Sequence, residues 1–316
     1  MTAREGPRVL AIVLNWQQAQ VTLSCVERLR ALKEPALDIL VLDNGSGDDS
    51  ARVLRERADA GAESVDGPEF ELIELPQNLG FARGNNHGLR LALERGYDFA
   101  LVINNDAFVE PGMLRELLAQ TADDVALLSP KILYESQPDR IWFAGGDRQA
   151  QTLDLINTGR GEADSAGRFP TRDVDYVLGA CMLVNLAAAR VVGLFDERYF
   201  FYFEDLDWSI RFVEEGYRLR YVAEARVQHR VATSTGGELD TPQRRFYLAY
   251  GGVLFWRQHA RTGSPAVILA FRALSALKMV MRLLISGRAE AAAAYFRGLR
   301  AGWRASKRGR PTASLT

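Results

Sequence analysis

At 316 residues, with 47% hydrophobic and 25% charged side chains, the chain has the composition of a soluble globular protein with a substantial core. Its formal net charge of −1 argues against nucleic acid as the main partner. The charge is unevenly spread: residues 264–316 hold ten Lys or Arg and one acid, Glu290, while the other 263 residues hold 29 basic and 39 acidic side chains. An acidic body with a basic tail points to a separate partner for the tail.

In chain order, residues 9–14 read as a buried strand, 21–32 as a helix ending before Pro35, and 38–42 as a second buried strand closed by Asp43, Asn44, Gly45 and Ser46. Residues 49–58 have helical spacing, 70–75 form a strand stopped by Pro76, 81–94 a helix and 99–103 a fourth strand. Strands alternating with helices predict βαβ units and a mostly parallel sheet. Such sheets bind ligands beyond the carboxyl ends of their strands, where Asn15-Trp16, Asp43-Asn44 and Asn104-Asn105-Asp106 fall.

After about residue 124 the pattern becomes mixed, as an acceptor-recognising region would be. Residues 125–128, 153–156, 174–178, 182–184 and 219–222 are short strand candidates, 111–118 and 204–215 are helices, and 159–172 reads as a mobile loop. The chain is helical from about 236 onward. This divides it into a region 1–235, with a donor half to about 124 and an acceptor half beyond, and a basic helical region 236–316.

Cys25 and Cys181 are far apart and unpatterned, which gives no disulfide framework and fits a reducing cytosol. Residues 9–14 are too few for the apolar core of a secretion signal. The most apolar stretch, 265–285, is interrupted by Arg272, Lys278 and Arg282, short of the roughly 20 apolar residues of a membrane span. Its apolar positions recur at near-helical spacing, with Trp303 beyond them. Two readings stand: an amphipathic helix lying on a membrane surface, or helices packing on the catalytic region or a second subunit.

Several polar clusters can carry chemistry. Asp43 is either an Asx-turn residue or a carboxylate able to accept from a ligand base. In NLGFARGNNHG (78–88) the glycines miss the GxGxxG spacing; they serve close helix packing, or the helix N-terminus and Arg83 approach a diphosphate. Asp106, just past a buried strand, is a helix cap or a ligand for a divalent metal bridging phosphates. Glu204, Asp205 and Asp207 follow the aromatic run Tyr199-Phe200-Phe201-Tyr202-Phe203. Three acids complement a helix dipole, yet crowded beside aromatics they repel one another, which raises a pKa and suits a general base. His229 is one of three histidines.

Taken in order, IVLNW (12–16), VLDNGSGD (41–48), NLGFARGNNHG (78–88), LVINND (101–106), LGACMLV (178–184), VGLFDERYFFYFEDLDWSIRFVEEG (192–216) and VQH (227–229) resemble the family 2 glycosyltransferases, especially the bacterial rhamnosyltransferase-like branch, over roughly residues 8–230. The resemblance implies a GT-A fold, a Rossmann-like, mostly parallel sheet flanked by helices, here with a C-terminal helical extension. It implies that Leu14, Asn15 and Trp16 line the base site with Trp16 stacking, and that Asp43 accepts from the base imide. Asn78, Gly80, Arg83 and Asn85 fall on the donor side, as do Asn104 and Asn105, which with Asp106 stand at the family's DxD motif; Asn104 replaces its first Asp. Asp106 and His229 become ligands of Mg²⁺ or Mn²⁺, Asp205 the catalytic base, and Gly179, Ala180 and Glu204 the acceptor contacts. The family's aromatic-Arg-Asn pattern is degraded here to FYLAYGG (246–252).

The implied reaction is metal-dependent, inverting transfer of a sugar from a dTDP- or UDP-linked donor, L-rhamnose first, to a glycan or lipid-linked acceptor in bacterial cell-surface polysaccharide synthesis. The implied place is cytoplasmic or peripheral on the inner face of the membrane, with homo-oligomerisation open. The rivals are a non-catalytic sugar-nucleotide scaffold, a nucleotidyltransferase, disfavoured by the missing early Gly-rich loop with Arg and Lys, and a nicotinamide oxidoreductase, disfavoured by the missing GxGxxG.

Overall fold

The computed structural model describes residues 6–32, 37–62, 69–149, 154–231, 240–260 and 264–305. The first half is a run of βαβ units: β1 (Val9–Asn15), α1 (Ala19–Arg30), β2 (Leu37–Asp43), α2 (Ser50–Ala62), β3 (Glu71–Glu74), α3 (Gly80–Glu94) and β4 (Phe99–Asn104). A short β5 (Ala107–Val109) and α4 (Met113–Leu118) lead to β6 (Val125–Tyr134), β7 (Gln137–Phe143), β8 (Gly146–Arg148), β9 (Leu155–Asn157), β10 (Arg172–Val174) and β11 (Cys181–Asn185). Then come α5 (Leu186–Val192), α6 (Glu204–Glu214), β12 (Arg218–His229), α7 (Pro242–His259), α8 (Pro265–Ile285) and α9 (Ala289–Arg304).

The main sheet runs β10-β12-β6-β11-β4-β1-β2-β3, with β5 added to β12 and β7 to β6. Strands β4, β1, β2 and β3 are parallel neighbours, whereas β11 runs antiparallel between β4 and β6. The chain leaves β1 toward β2 and β3, then returns to β4 on the other side of β1. That reversal opens a crevice at the carboxyl ends of β1 and β4.

Alternation along β1 serves both faces. Leu10 and Ile12 pack with Leu89 of α3, Ala188 of α5 and Trp208 of α6. Val9, Ala11 and Val13 pack with Val26 of α1, Leu54 of α2 and Leu117 of α4. A sheet covered on both faces explains why its strands read as continuous apolar runs. A third cluster joins Leu254 and Phe255 of α7 to Tyr199, Leu206 and Ile210, so α7 shares a core with α6 and the segment before it.

Several elements differ from their sequence reading. β6 passes through Pro130 instead of stopping at 128, because Pro130 sits opposite the register shift after Val222 in β12; a proline in a sheet is tolerated at such irregularities. β12 reaches His229, its outer residues alternating polar and apolar along a half-covered strand. The strand expected at 174–178 ends at Val174; Tyr176 and Val177 are apolar because they are buried, not because they pair in a ladder. Helix α5 went unread, although Asn185 caps it by accepting from the amides of Ala187 and Ala188. The loop expected to be mobile is tied down at Asp164, whose carboxylate binds Lys131 at 2.7 Å and also Arg226.

Candidate active site

The crevice holds a cavity of about 340 Å³. Leu14, Trp16, Asn44, Asn104, Asn105 and Asp106 contribute from the strand ends, Asn78, Gly80 and Phe81 from the start of α3, Phe200, Phe201 and Tyr202 from the aromatic run, and Thr241, Gln243, Arg244 and Tyr247 from the start of α7. Trp16 is 38% exposed, an open ring face on the wall. A second concavity, at the amino ends of β1 and β2 around Arg30, Asp38 and Arg95, lies away from all these residues.

Beneath the strand ends that line the cavity is a buried polar chain. Asn15 donates to Asp43 Oδ1 at 2.7 Å and accepts from the Thr22 hydroxyl at 2.7 Å, and Asn105 donates to the same hydroxyl at 3.1 Å. The Ser46 amide donates to Asp43 Oδ2 at 3.0 Å. Asp43 is only 2% exposed and does not line the cavity; each of its oxygens keeps a second lone pair. Asn44, which the sequence reading treated as a turn residue, clamps the entry to α3: it accepts from the Leu79 amide and donates to Asn78 Oδ1 and the Gly80 carbonyl.

Gly80 has φ +80°, and a Cβ there would lie 2.4 Å from the Phe200 carbonyl oxygen, so only glycine admits the bond from the Phe81 amide to that oxygen. Gly84 and Gly88 lie against Leu14 and Ile12, the close-packing role that their spacing allowed. Arg83 is turned to Glu197 at 3.2 Å and does not line the cavity. Asn85 is buried; it donates to the Phe81 carbonyl, and its own Oδ1 has no partner.

Across the floor, β5 pairs antiparallel with the end of β12, setting Ala107 opposite His229. This brings His229 Nε2 to 3.0 Å from Asp106 Oδ1, across 123 positions of sequence. Trp142 packs edge-on against the imidazole at 4.7 Å, and Nδ1 is buried without a partner. No group of three or more His, Cys, Asp or Glu gathers for a metal among the described residues. The Asp106 carboxylate at the cavity and the His229 imidazole bonded to it nonetheless fit a divalent ion that completes its shell with diphosphate oxygens and water, as Mg²⁺ commonly does.

The three acids of α6 fall into three environments. They are presented by two successive aromatic residues in left-handed backbone, Tyr202 at φ 70° and Phe203 at φ 73°, a strained entry of the kind found where surrounding packing enforces a functional geometry. Phe200 stacks on Tyr247 of α7 at 4.7 Å, and Phe203 packs on Phe255 at 5.5 Å, so α7 is part of that packing. Asp207 is fully buried: Arg211 Nε lies at 2.8 Å and His259 Nε2 at 2.9 Å, and Gln258 donates at 2.7 Å. Burial alone would raise its pKa, but the Arg211 guanidinium and His259 outweigh it and push it down to about 2. Glu204 is the opposite case. Burial, reinforced by the neighbouring Asp205 carboxylate, holds it well above the usual range, and its Oε2 has no partner.

Asp205 lies between these extremes. Burial raises its pKa, while the amides of Gly179 and Leu206, donating at 2.9 Å each, oppose the rise. Of the two adjacent carboxyls, Asp205 is the one whose charged form the Gly179 and Leu206 amides favour. Asp205 stands just outside the cavity lining; a Cβ at Gly179 would be 2.9 Å from Phe81, which lines it, and 3.6 Å from Asp205 Oδ2. The same loop ties to β4, where the Asn104 amide donates to the Ala180 carbonyl at 2.9 Å.

The structure thus gathers Leu14, Trp16, Asn78, Gly80, Asn104, Asn105 and Asp106 at the cavity, sets His229 on Asp106, and sets Gly179 and Ala180 against Asp205 and β4. Arg83 and Asn85 face elsewhere. The α7 residues at the cavity and His259 were missed. Their only local signal was Thr241 before Pro242, a helix start that says nothing of where the helix docks.

Comparison with known proteins agrees with this geometry. Residues 11–172 match the family described as Glycosyl transferase family 2, and residues 99–299 match Glycosyl transferase family group 2. The chain is 29% identical, over 64% of its length and 69% of the relative's, to an N-acetylglucosaminyl-diphospho-decaprenol L-rhamnosyltransferase of Mycobacterium tuberculosis. It is 18% identical, over 79% and 80%, to a dTDP-rhamnosyl transferase of Shigella flexneri. Among solved structures it is similar in fold to a mannosyltransferase from Pyrobaculum calidifontis in complex with GDP-Man and Mn²⁺, with a TM-score of 0.58 at 17% identity over 96% of this chain and 77% of that one. It is also similar to GalNAc-T7 with UDP, GalNAc and Mn²⁺, with a TM-score of 0.54 at 13% identity over 82% and 51%. With a GT-A sheet, a cavity at its switch point and family matches that together span residues 11–299, the chain belongs to glycosyl transferase family 2 and has rhamnosyltransferases among its relatives.

Proposed function

We propose that the protein is a metal-dependent, inverting glycosyltransferase that moves L-rhamnose from dTDP-L-rhamnose to a hydroxyl of a glycan or lipid-linked acceptor in bacterial cell-surface polysaccharide synthesis. The observation that carries the reading is the setting of Asp205, whose carboxylate is held by the Gly179 and Leu206 amides beside the buried Glu204, at the edge of a cavity lined by Asp106 with His229 bonded to it. The names of the two rhamnosyltransferase relatives support the sugar and the lipid-linked acceptor.

Asp205 removes the acceptor hydroxyl proton as that oxygen attacks the anomeric carbon. The electron pair of the breaking bond leaves with the nucleoside diphosphate, and attack from the opposite side inverts the carbon. A Mg²⁺ or Mn²⁺ held by Asp106 and His229 would supply Lewis-acid stabilisation to the diphosphate oxygens. Glu204, with the Gly179–Ala180 loop, orients acceptor hydroxyls. Trp16 stacks on the base. Asp43 accepts from the imide of thymine or uracil, which the N3 of cytosine, itself an acceptor, does not match. The aromatic run excludes water from the reacting centre.

Calorimetric titration with dTDP, UDP, GDP and CDP, paired with nucleoside diphosphate release from their sugars, tests the reading. Tighter binding of dTDP and UDP, with release that stops in excess chelator and in Asp106→Ala, is the expected result. Preference for GDP or CDP removes the role of Asp43, and undiminished release in chelator removes the metal. Binding without release leaves the scaffold reading, and pyrophosphate release from a nucleoside triphosphate leaves the nucleotidyltransferase.

The same reading extends to the membrane. No described helix is long and apolar enough to cross one. Yet α8 turns Val267, Leu269, Leu274, Leu277, Met281, Leu284 and Ile285 outward, Leu274 at 65% and Ile285 at 81% exposed. At about 100° per residue these span roughly half the helix circumference, wider than the narrow seam of a two-helix pair. Lys278 and Arg282 border them on a tail with a ten-to-one basic excess. A broad apolar face with a cationic edge fits an anionic lipid surface. In flotation assays the protein is expected to rise with phosphatidylglycerol vesicles and far less with phosphatidylcholine, and Leu274→Glu/Leu277→Glu to stay down with both. Equal behaviour of variant and wild type defeats the proposal, as does a variant that merely converts a dimer to a monomer without changing flotation.

A further inference from the structure

We propose that Arg244, in the first turn of α7, binds the diphosphate of the donor and neutralises the charge that builds on it as the leaving group departs. The inference rests on the reading of the cavity as a nucleotide-sugar site and adds to it a residue from outside the sheet.

Among the described residues lining the cavity, Arg244 is the only basic side chain and Asp106 the only acidic one. A nucleoside diphosphate sugar is negative at both phosphates and becomes more so when the bond to the sugar breaks. One divalent ion, partly offset by the Asp106 carboxylate, leaves part of that charge uncompensated, and a guanidinium with its planar fork of donors is suited to phosphate oxygens. The position serves the transition state more than the ground state, because the charge it meets grows during the reaction.

The other arginines near the site are committed. Arg83 binds Glu197, Arg230 binds Glu135 and Arg245 binds Asp240. Arg244 has no carboxylate partner among the described residues. Its guanidinium sits 5.7 Å from the centre of the Tyr202 ring, and its Nε is buried without a hydrogen-bond acceptor. A buried, unpaired donor on a charged group is costly, and a bound diphosphate supplies the missing acceptor. The helix terminus itself offers little: Pro242 has no N–H, and the Arg244 amide already donates to the Thr241 hydroxyl at 3.2 Å. The side chain, not the helix end, is therefore the available anion contact.

Arg244 is placed by tertiary contacts at both ends of α7. Phe200 stacks on Tyr247 one turn further along, and His259 at the far end binds the buried Asp207.

The test compares wild type, Arg244→Gln, Arg244→Lys and Arg83→Gln for binding of dTDP and UDP by calorimetry with Mg²⁺ present, and of thymidine and uridine by ligand-observed NMR. Arg244→Gln should weaken the diphosphates roughly 10–100-fold, the scale of one or two charged hydrogen bonds, and leave the nucleosides unchanged. Arg244→Lys should recover part of the loss, keeping charge without the fork, and Arg83→Gln should bind as wild type does. An Arg244→Gln variant that binds diphosphates normally overturns the proposal. So does a parallel loss of diphosphate and nucleoside binding, which marks a structural role. A wild-type protein that binds none of dTDP, UDP or GDP overturns the nucleotide-sugar reading itself, and this inference with it.

Discussion

Asp205→Asn is expected to cut sugar transfer roughly 10²–10⁴-fold, the usual cost of losing a general base, while nucleoside diphosphate affinity stays within about twofold, because the base meets the acceptor and not the nucleotide. The Asn side chain keeps one acceptor oxygen, so it preserves one of the two bonds that Gly179 donates to Oδ2 and Leu206 to Oδ1, and circular dichroism with measured donor binding checks that the loop stays folded. The pH profile adds a second readout. Burial raises the Asp205 pKa against the pull of those two amides, and the carboxylate is the active form. Activity should therefore fall on the acid side at a pH above the ordinary aspartate value, and that limb should be absent from the residual activity of the variant. A near wild-type rate for Asp205→Asn, in a steady-state assay with measured donor binding, would move the role to another acid.

Asp207→Ala is expected to lower folding stability by about 3–5 kcal/mol, the range for removing one partner of a buried ion pair, because it takes the carboxylate from the buried Arg211 and leaves His259 only its longer contact with Glu214. Urea unfolding followed by fluorescence and circular dichroism measures it. The sign with pH follows from the two partners. The Asp207 pKa is lowered from 3.8 to about 2, so its contribution is present above 3.8 and lost as pH falls through about 2. The His259 pKa is raised above 6.5, since its bonds to Asp207 and Glu214 overcome burial, so its contribution is complete below 6.5 and lost as pH rises through the raised value. Wild type should lose stability across that upper window, and Asp207→Ala should lose much less there. A variant within 1 kcal/mol of wild type, by the roughly ±10–15% precision of denaturant extrapolation, would mean that the pair is not what holds α6 to α7. The two variants separate chemistry from architecture: adjacent acids on one helix turn, one expected to abolish transfer in a stable protein and the other to weaken the protein itself.

The first half of the fold was legible because parallel strands buried on both faces are written as local apolar runs, and the helices between them as local periodicity. Residues 9–14, 38–42 and 99–103 were read within one residue at each end of β1, β2 and β4. The second half was not, because its elements take their form from neighbours. β12 pairs with β6 along one side and with β5 and β10 on the other, and that pairing carries it past Val222 to His229. The register that brings His229 to Asp106 is likewise a property of two strand ends far apart in sequence.

By itself the sequence determined the family, the parallel sheet and the order in which polar clusters arrive at its carboxyl edge, since each of these depends on residue types at short spacing. Only the tertiary structure separates the three acids of α6. Glu204, Asp205 and Asp207 are chemically alike along the chain and differ through the groups folded against them: no partner at Glu204 Oε2, two amides at Asp205, and Arg211 with His259 at Asp207. The structure also decided that Arg83 turns to Glu197 while α7 brings Arg244 to the cavity. The reason is the same in each case. A side chain's charge state and direction are set by burial and by partners that arrive from distant positions, and no local pattern records them.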